Sequence, residues 1–119
     1  RVPRHIVDIA RVRPIDLVIL DGIESTSGGE GPWVPTQPQE PGLLIVGRNP
    51  VCADAIATAA IGYDPTAPRA TGPFPGDNHL AMAAELGLGT NDPSRIEVVG
   101  LPLAEARHPY DWQPPERNI

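Results

Sequence analysis

The amino-acid sequence predicts an α/β fold, a small mixed sheet with flanking helices and long proline- and glycine-rich loops. Two aliphatic runs, Leu17–Leu20 and Leu43–Val46, are too short for helices and read as buried strands. Between Asn49 and Gly62 the chain is alanine-rich, with Asn49 at the N-cap and Pro50 at the first helical position, where no backbone N–H is needed. Gly62 supplies the left-handed residue that ends this helix. Sixteen prolines and twelve glycines in 119 residues leave much of the remainder to loops.

Taken in order, Ile6, Ile9 and Ala10 recur at helical spacing within Arg4–Val12, and Pro14 marks where that helix has stopped. Asp16–Asp21 follows as a strand buried on both faces, with Asp21 at its C-terminal end. In open α/β sheets that edge is where ligands collect. From Ile23 to Pro41 the periodicity disappears, and a loop of that length is either functional, as a lid or binding loop, or disordered. Its centre offers backbone N–H groups to an anion, so Gly28, Gly29 and Gly31 are candidate cofactor-binding positions. The loop lacks the Lys and Ser/Thr that end a phosphate-binding P-loop.

Beyond the alanine-rich helix, a second irregular passage leads to a short helix with Asp77 as N-cap and Leu80, Ala83 and Ala84 facing inward. Gly87 ends it. Arg95–Gly100 alternates as a half-buried strand does, and residues 101–119 form an extended tail anchored by Tyr110 and Trp112. The predicted sheet therefore contains Asp16–Asp21, Leu43–Gly47 and Ile96–Val99. A right-handed crossover pairs the last two in parallel. No helix separates the first two, and their relative direction is open.

The formal charge is -6, and the nine basic residues are all arginines, scattered along the chain. Phosphate binding needs clustered cations, so nucleic acid and anionic membrane surfaces are disfavoured as partners. No apolar run approaches the ~20 residues that span a bilayer, and a soluble, cytoplasmic location is expected. The chain opens on Arg1 without an initiator Met and reads as a fragment of a larger domain. The expected partner is the remainder of the parent chain, with a homo-oligomer also open. The single cysteine, Cys52, excludes an internal disulfide and an iron–sulfur cluster held by local thiolates, and among apolar neighbours it reads as a core residue.

The chemistry rests on carboxylates. If the first two strands are neighbours, Asp21, Glu30 and Asp54 converge near one sheet edge, and oxygen ligands of this kind suit a divalent metal such as Mg²⁺ or Mn²⁺. The competing reading is that Asp54 pins the glycine-rich loop, Asp21 closes a turn and Glu30 is solvated. Glu24 and Asp64 are further acidic residues of interest, the latter a turn residue before Pro65. His79 opens a helix, whose N-terminus disfavours the imidazolium and poises a neutral base or ligand. His5, His108 and Ser25–Ser27 receive no role.

Asp54 carries the sharpest expectation. A carboxylate beside Ala53, Ala55, Ala57 and Thr58 requires compensation or a shifted pKa. Its side chain is predicted to face the Gly28–Pro32 loop or the end of the Asp21 strand. There it accepts at least one backbone N–H or shares a cation.

In order and spacing, Leu17–Gly22, Glu30-Gly31-Pro32, Gly47–Val51 with Ala53-Asp54-Ala55, Gly62–Pro65, Gly87-Leu88-Gly89 and Ile96–Gly100 resemble the C-terminal half of the domain of unknown function 362 (DUF362). The resemblance spans Pro14 to Gly100, and the chain departs from it at the proline-rich Trp33–Pro41 stretch and at Arg69–Pro75. It implies a DUF362-like α/β unit over residues 1–100 followed by the tail, 101–119. It also implies a redox setting, because members often carry a ferredoxin-like iron–sulfur module elsewhere in the chain. Two functions are compatible with these residues, and whether the protein is an enzyme stays open. One is the ligand-binding or catalytic part of a redox-associated protein with an acidic divalent-metal pocket. The other is a non-catalytic docking or scaffold domain.

Overall fold

The computed structural model describes residues 2–28, 33 and 35–110. Their elements run α1 (Val2–Val12), β1 (Val18–Gly22), β2 (Ser25–Ser27), β3 (Gln37–Gln39), β4 (Leu43–Gly47), α2 (Pro50–Ala60), α3 (His79–Glu85) and α4 (Leu103–Ala106), with a 3₁₀ turn at Pro93–Arg95. Helices beside small sheets make this an α/β fold. The sheets are two antiparallel pairs, β1 with β4 and β2 with β3.

The two pairs belong to one long hairpin. Gly22 lies opposite Leu43 and Ser25 opposite Gln39, so Ile23 and Glu24 on one arm face Glu40, Pro41 and Gly42 on the other. The extra residue forms a bulge. Gly42 adopts φ 66° there and donates its N–H to the Ile23 carbonyl at 3.2 Å, a left-handed conformation that favours glycine. The Ile23–Pro41 stretch is therefore in good part a continuation of the ladder, not a structureless loop.

Strand alternation divides β1 and β4 into two faces. Val18, Leu20, Leu43 and Ile45 are half-buried on the side that carries α2, while Ile19, Leu44 and Val46 remain about 60%, 61% and 58% exposed. The expectation of strands buried on both faces is corrected accordingly. So is the third strand. Ile96–Val99 is irregular, borders the same cavity as β4 and pairs with no strand, and no parallel crossover forms among the described residues.

Helix α2 begins as its sequence dictates. The Asn49 side chain accepts the Cys52 N–H at 3.0 Å, and its amide donates to the Leu88 carbonyl at 2.7 Å, tying the helix start to the segment after α3. Gly89 passes so close that a Cβ there would meet Asn49 Oδ1 and lie 2.8 Å from Val51 Cβ. At the other end Gly62, at φ 95°, closes the helix. The chain then returns, and the N–H groups of His108 and Tyr110 donate to the carbonyls of Ala60 and Ile61 at 2.7 and 3.0 Å. The first part of the predicted tail thus satisfies carbonyls that a helix end leaves open, and it contains the short helix α4.

The apolar core sits away from the hairpin. Val7 of α1, Val51 of α2, Leu80 and Ala83 of α3, and Ala67 and Phe74 of the preceding turn are buried together. Of the stripe predicted for α1, Ile6 and Ile9 are exposed and Ala10 is half-buried; Val7 faces the core instead. The N-cap of α3 is Asn78, not Asp77. Its buried side chain accepts the Leu80 and Ala81 N–H groups at 2.9 and 3.1 Å and donates to the Pro65 and Ala67 carbonyls at 2.8 and 2.9 Å. A carboxylate lacks the donors this position requires. Asp77 instead pairs with Arg69 at 3.3 Å on the surface.

Candidate functional site

Two faces of α2 border two cavities. Asp54, Ala57, Thr58 and Ile61 follow the i, i+3, i+4, i+7 spacing that places residues on one helix face, and they line a cavity of about 420 Å³. Leu20, Leu43 and Ile45 of the hairpin's inner face form its apolar wall. His79 enters from the start of α3, Ser25 and Thr26 from β2, and Tyr110 from the returning tail. On the other side Cys52, Ala53, Ile56 and Ala60 border a cavity of about 360 Å³ that extends to β4 and to Ile96–Val99. That second space is lined mainly by aliphatic side chains, with Arg48, Asn49 and Glu97 also on its border.

Asp54 is half-buried. Burial holds its carboxyl above the ordinary carboxylate value, and the nearby His79 charge opposes that rise without cancelling it. Asp92 provides the contrast, since hydrogen bonds from the Ser94 hydroxyl and N–H hold it below its ordinary value on the open surface. Among the described residues, the His79 charge is what opposes the effect of burial on Asp54. Among the described residues no hydrogen bond reaches its side chain, so the backbone N–H predicted to be donated to it is not found there.

His79 is held more firmly. It follows the buried cap Asn78, and its ring meets Phe74 edge-on with centroids 5.8 Å apart. The imidazole therefore reaches the cavity from a fixed anchor. His108, given no role in the sequence, places Nε2 3.2 Å from Gln39 Oε1 and so links the tail to β3.

The other proposed ligands are distributed differently. Asp21 borders the Asp54 cavity, but by strand alternation its side chain belongs to the exposed face. Its Oδ1 accepts the Ile23 N–H at 3.1 Å, the turn-closing role. Gly28 follows β2 at φ 118°, while Gly29, Glu30 and Gly31 lie outside the described residues. Asp64 bonds the Thr66 N–H and hydroxyl at 2.8 and 2.7 Å, as a turn residue does. Among the described residues no group of three or more His, Cys, Asp and Glu is placed to hold a metal ion.

Thr58 and Tyr110 are the site residues that sequence reasoning passed over. Thr58 carried a signal, its four-residue spacing from Asp54. Tyr110 was read only as an anchor of the tail, and its N–H does dock on the Ile61 carbonyl, whereas Trp112, the other expected anchor, lies outside the described residues. No helix among the described residues is long and apolar enough to cross a membrane.

No curated protein and no solved structure matches the chain. Residues 1–59 match the family described as Domain of unknown function (DUF362). The matched region holds α1, the whole hairpin and nearly all of α2, and with them Asp54, Thr58 and the apolar wall of the cavity; His79 and Tyr110 lie beyond it. Over residues 1–59, just under half of its length, the chain is thus similar to the DUF362 family.

Proposed function

We propose that this chain is the ligand-binding part of its DUF362 protein, with the ligand seated in the cavity between α2 and the hairpin. The observation that carries this reading is Asp54. A half-buried carboxylate beside an imidazole, at a cavity with an apolar wall, is the arrangement that binding and acid–base sites use. The redox setting comes from the family resemblance alone. A divalent metal remains part of the proposal only through Asp54, His79 and Glu30, because the Asp21 carboxylate is engaged by the Ile23 N–H. Gly28, Gly29 and Gly31 stay in it as backbone donors for an anionic group of a cofactor.

The test is a cavity-filling substitution. Ala57→Leu adds bulk beside Asp54 without touching the carboxylate or the imidazole. Fragment binding and Mn²⁺ titration, followed by amide NMR shifts of Leu20, Ile45 and Thr58, should both be lost in Ala57→Leu. Binding that persists with the cavity filled rules the site out.

A second reading has its own observation. The exposed aliphatic residues Ile19, Leu44 and Val46 share one sheet face, and β4 has no strand on its other edge among the described residues. Such a surface fits the docking domain, with the remainder of the parent chain as its cover.

A further inference from the structure

We infer that the Asp54 cavity takes a small primary amine with an aliphatic body, the ammonium against the Asp54 carboxylate and the body along Leu20, Leu43 and Ile45. This inference rests on the ligand-binding reading above and adds the chemical class of the ligand.

Charge decides first. Among the described residues the cavity is lined by Asp54 and by no Lys or Arg; His79 is the one basic residue among them, and its charge already acts on Asp54. A phosphate or carboxylate ligand would meet no guanidinium or ammonium of the described residues, and would face the Asp54 charge in a partly desolvated space. A cation is favoured for the same reason.

Coordination number decides next. A divalent metal seeks about six or more oxygen ligands, and among the described residues no cluster of even three ligating side chains exists. An ammonium needs far less. Its three N–H donors are served by one carboxylate with hydroxyls or water beside it, and Thr58 stands one helical turn from Asp54 on the same face. Shape then adds the organic part, since Leu20, Leu43, Ile45 and Ala57 give the ammonium's neighbours a dry wall to lie on. A cavity of about 420 Å³ is within the range that small molecules occupy.

The experiment compares n-butylamine, 1-butanol and butyrate on the full chain at pH 7, by calorimetry and amide NMR, with MnCl₂ as a fourth probe. Butylamine is expected to bind about tenfold more tightly than butanol, equivalent to about 1.4 kcal/mol, and butyrate not at all. Asp54→Asn, isosteric and without charge, should reduce butylamine to the affinity of butanol while leaving butanol unchanged. Equal binding of butylamine and butanol, both abolished by Ala57→Leu, would overturn the amine while leaving the ligand site standing. Binding of Mn²⁺ or butyrate in preference to butylamine overturns it as well. If no probe shifts the cavity residues, the amine and the ligand-binding reading fall together.

Discussion

The two cavities flanking α2 are similar in size, about 420 and 360 Å³, and share one helix as a wall, yet their chemistry diverges. On one face Asp54 and Thr58 meet His79 and Tyr110; on the other Cys52, Ala53, Ile56 and Ala60 meet β4 and Ile96–Val99, with Arg48, Asn49 and Glu97 on the same border. A helix of mostly small residues permits close approach on both sides, and the identity of a few positions then decides what each side accepts. The side that carries Asp54 beside an aliphatic wall fits a small ligand with a charged head. The other side, bordered by the edge of β4, fits further polypeptide.

The largest expected effect strikes the shared wall. Asn49→Ala removes the α2 cap and the bond to the Leu88 carbonyl together. The combined loss should be about 2 kcal/mol, read as a lower urea midpoint. Because both cavities depend on where α2 begins, amide shifts are expected around Thr58 and around Ile96 alike. Perturbation confined to one side would show that the two spaces are positioned independently.

The helix itself was legible because its signals are local: Asn49, Pro50 and Gly62 act within a residue or two of the positions they fix. Signals that need a partner were not. Ile96–Val99 has the composition of a strand, but a strand exists only where a neighbouring edge pairs with it, and β4 pairs with β1 alone among the described residues. The reverse happened at Ser25–Ser27 and Gln37–Gln39, polar segments without alternation and with Pro38 in the middle, which pair because the β1–β4 ladder has already brought their ends together. At the site, Asp54 was conspicuous as the lone charge in an alanine-rich helix. His79 is brought to it by the Asn78 anchor, more than twenty residues further along the chain, and no sequence spacing announces that meeting.

A smaller effect tests the apolar region. Val46 is 58% exposed on the hairpin's outer face, so Val46→Lys should change the stability of this chain by no more than about 0.5 kcal/mol. If the remainder of the parent chain covers that face, the same lysine places an unpaired charge in the contact. Association of separately produced pieces should then weaken by at least tenfold, about 1.4 kcal/mol. Unchanged association would place the partner elsewhere and leave the ligand site as the better-supported half of the comparison.

The smallest effect concerns the polar region and has a sign that depends on pH. Burial raises the Asp54 pKa in the folded chain, so the folded state holds that proton more tightly than the unfolded state does. Between the ordinary carboxylate value and the raised one, stability must therefore fall as pH rises. Above the raised value the ionised group stays as a standing cost, reduced by the opposing charge of His79 and by the solvent that still reaches a half-buried side chain. Asp54→Asn removes the titration. The variant is expected to be more stable at pH 7, by less than about 1 kcal/mol because of that screening. At a pH below the ordinary carboxylate range, where wild-type Asp54 is already neutral, the advantage should vanish. Urea midpoints for both proteins at pH 3 and pH 7 measure the difference directly. A variant that is less stable at both pH values would mean that the carboxyl group holds a hydrogen bond the asparagine fails to reproduce, and Asp54 would then brace the fold and not await a ligand.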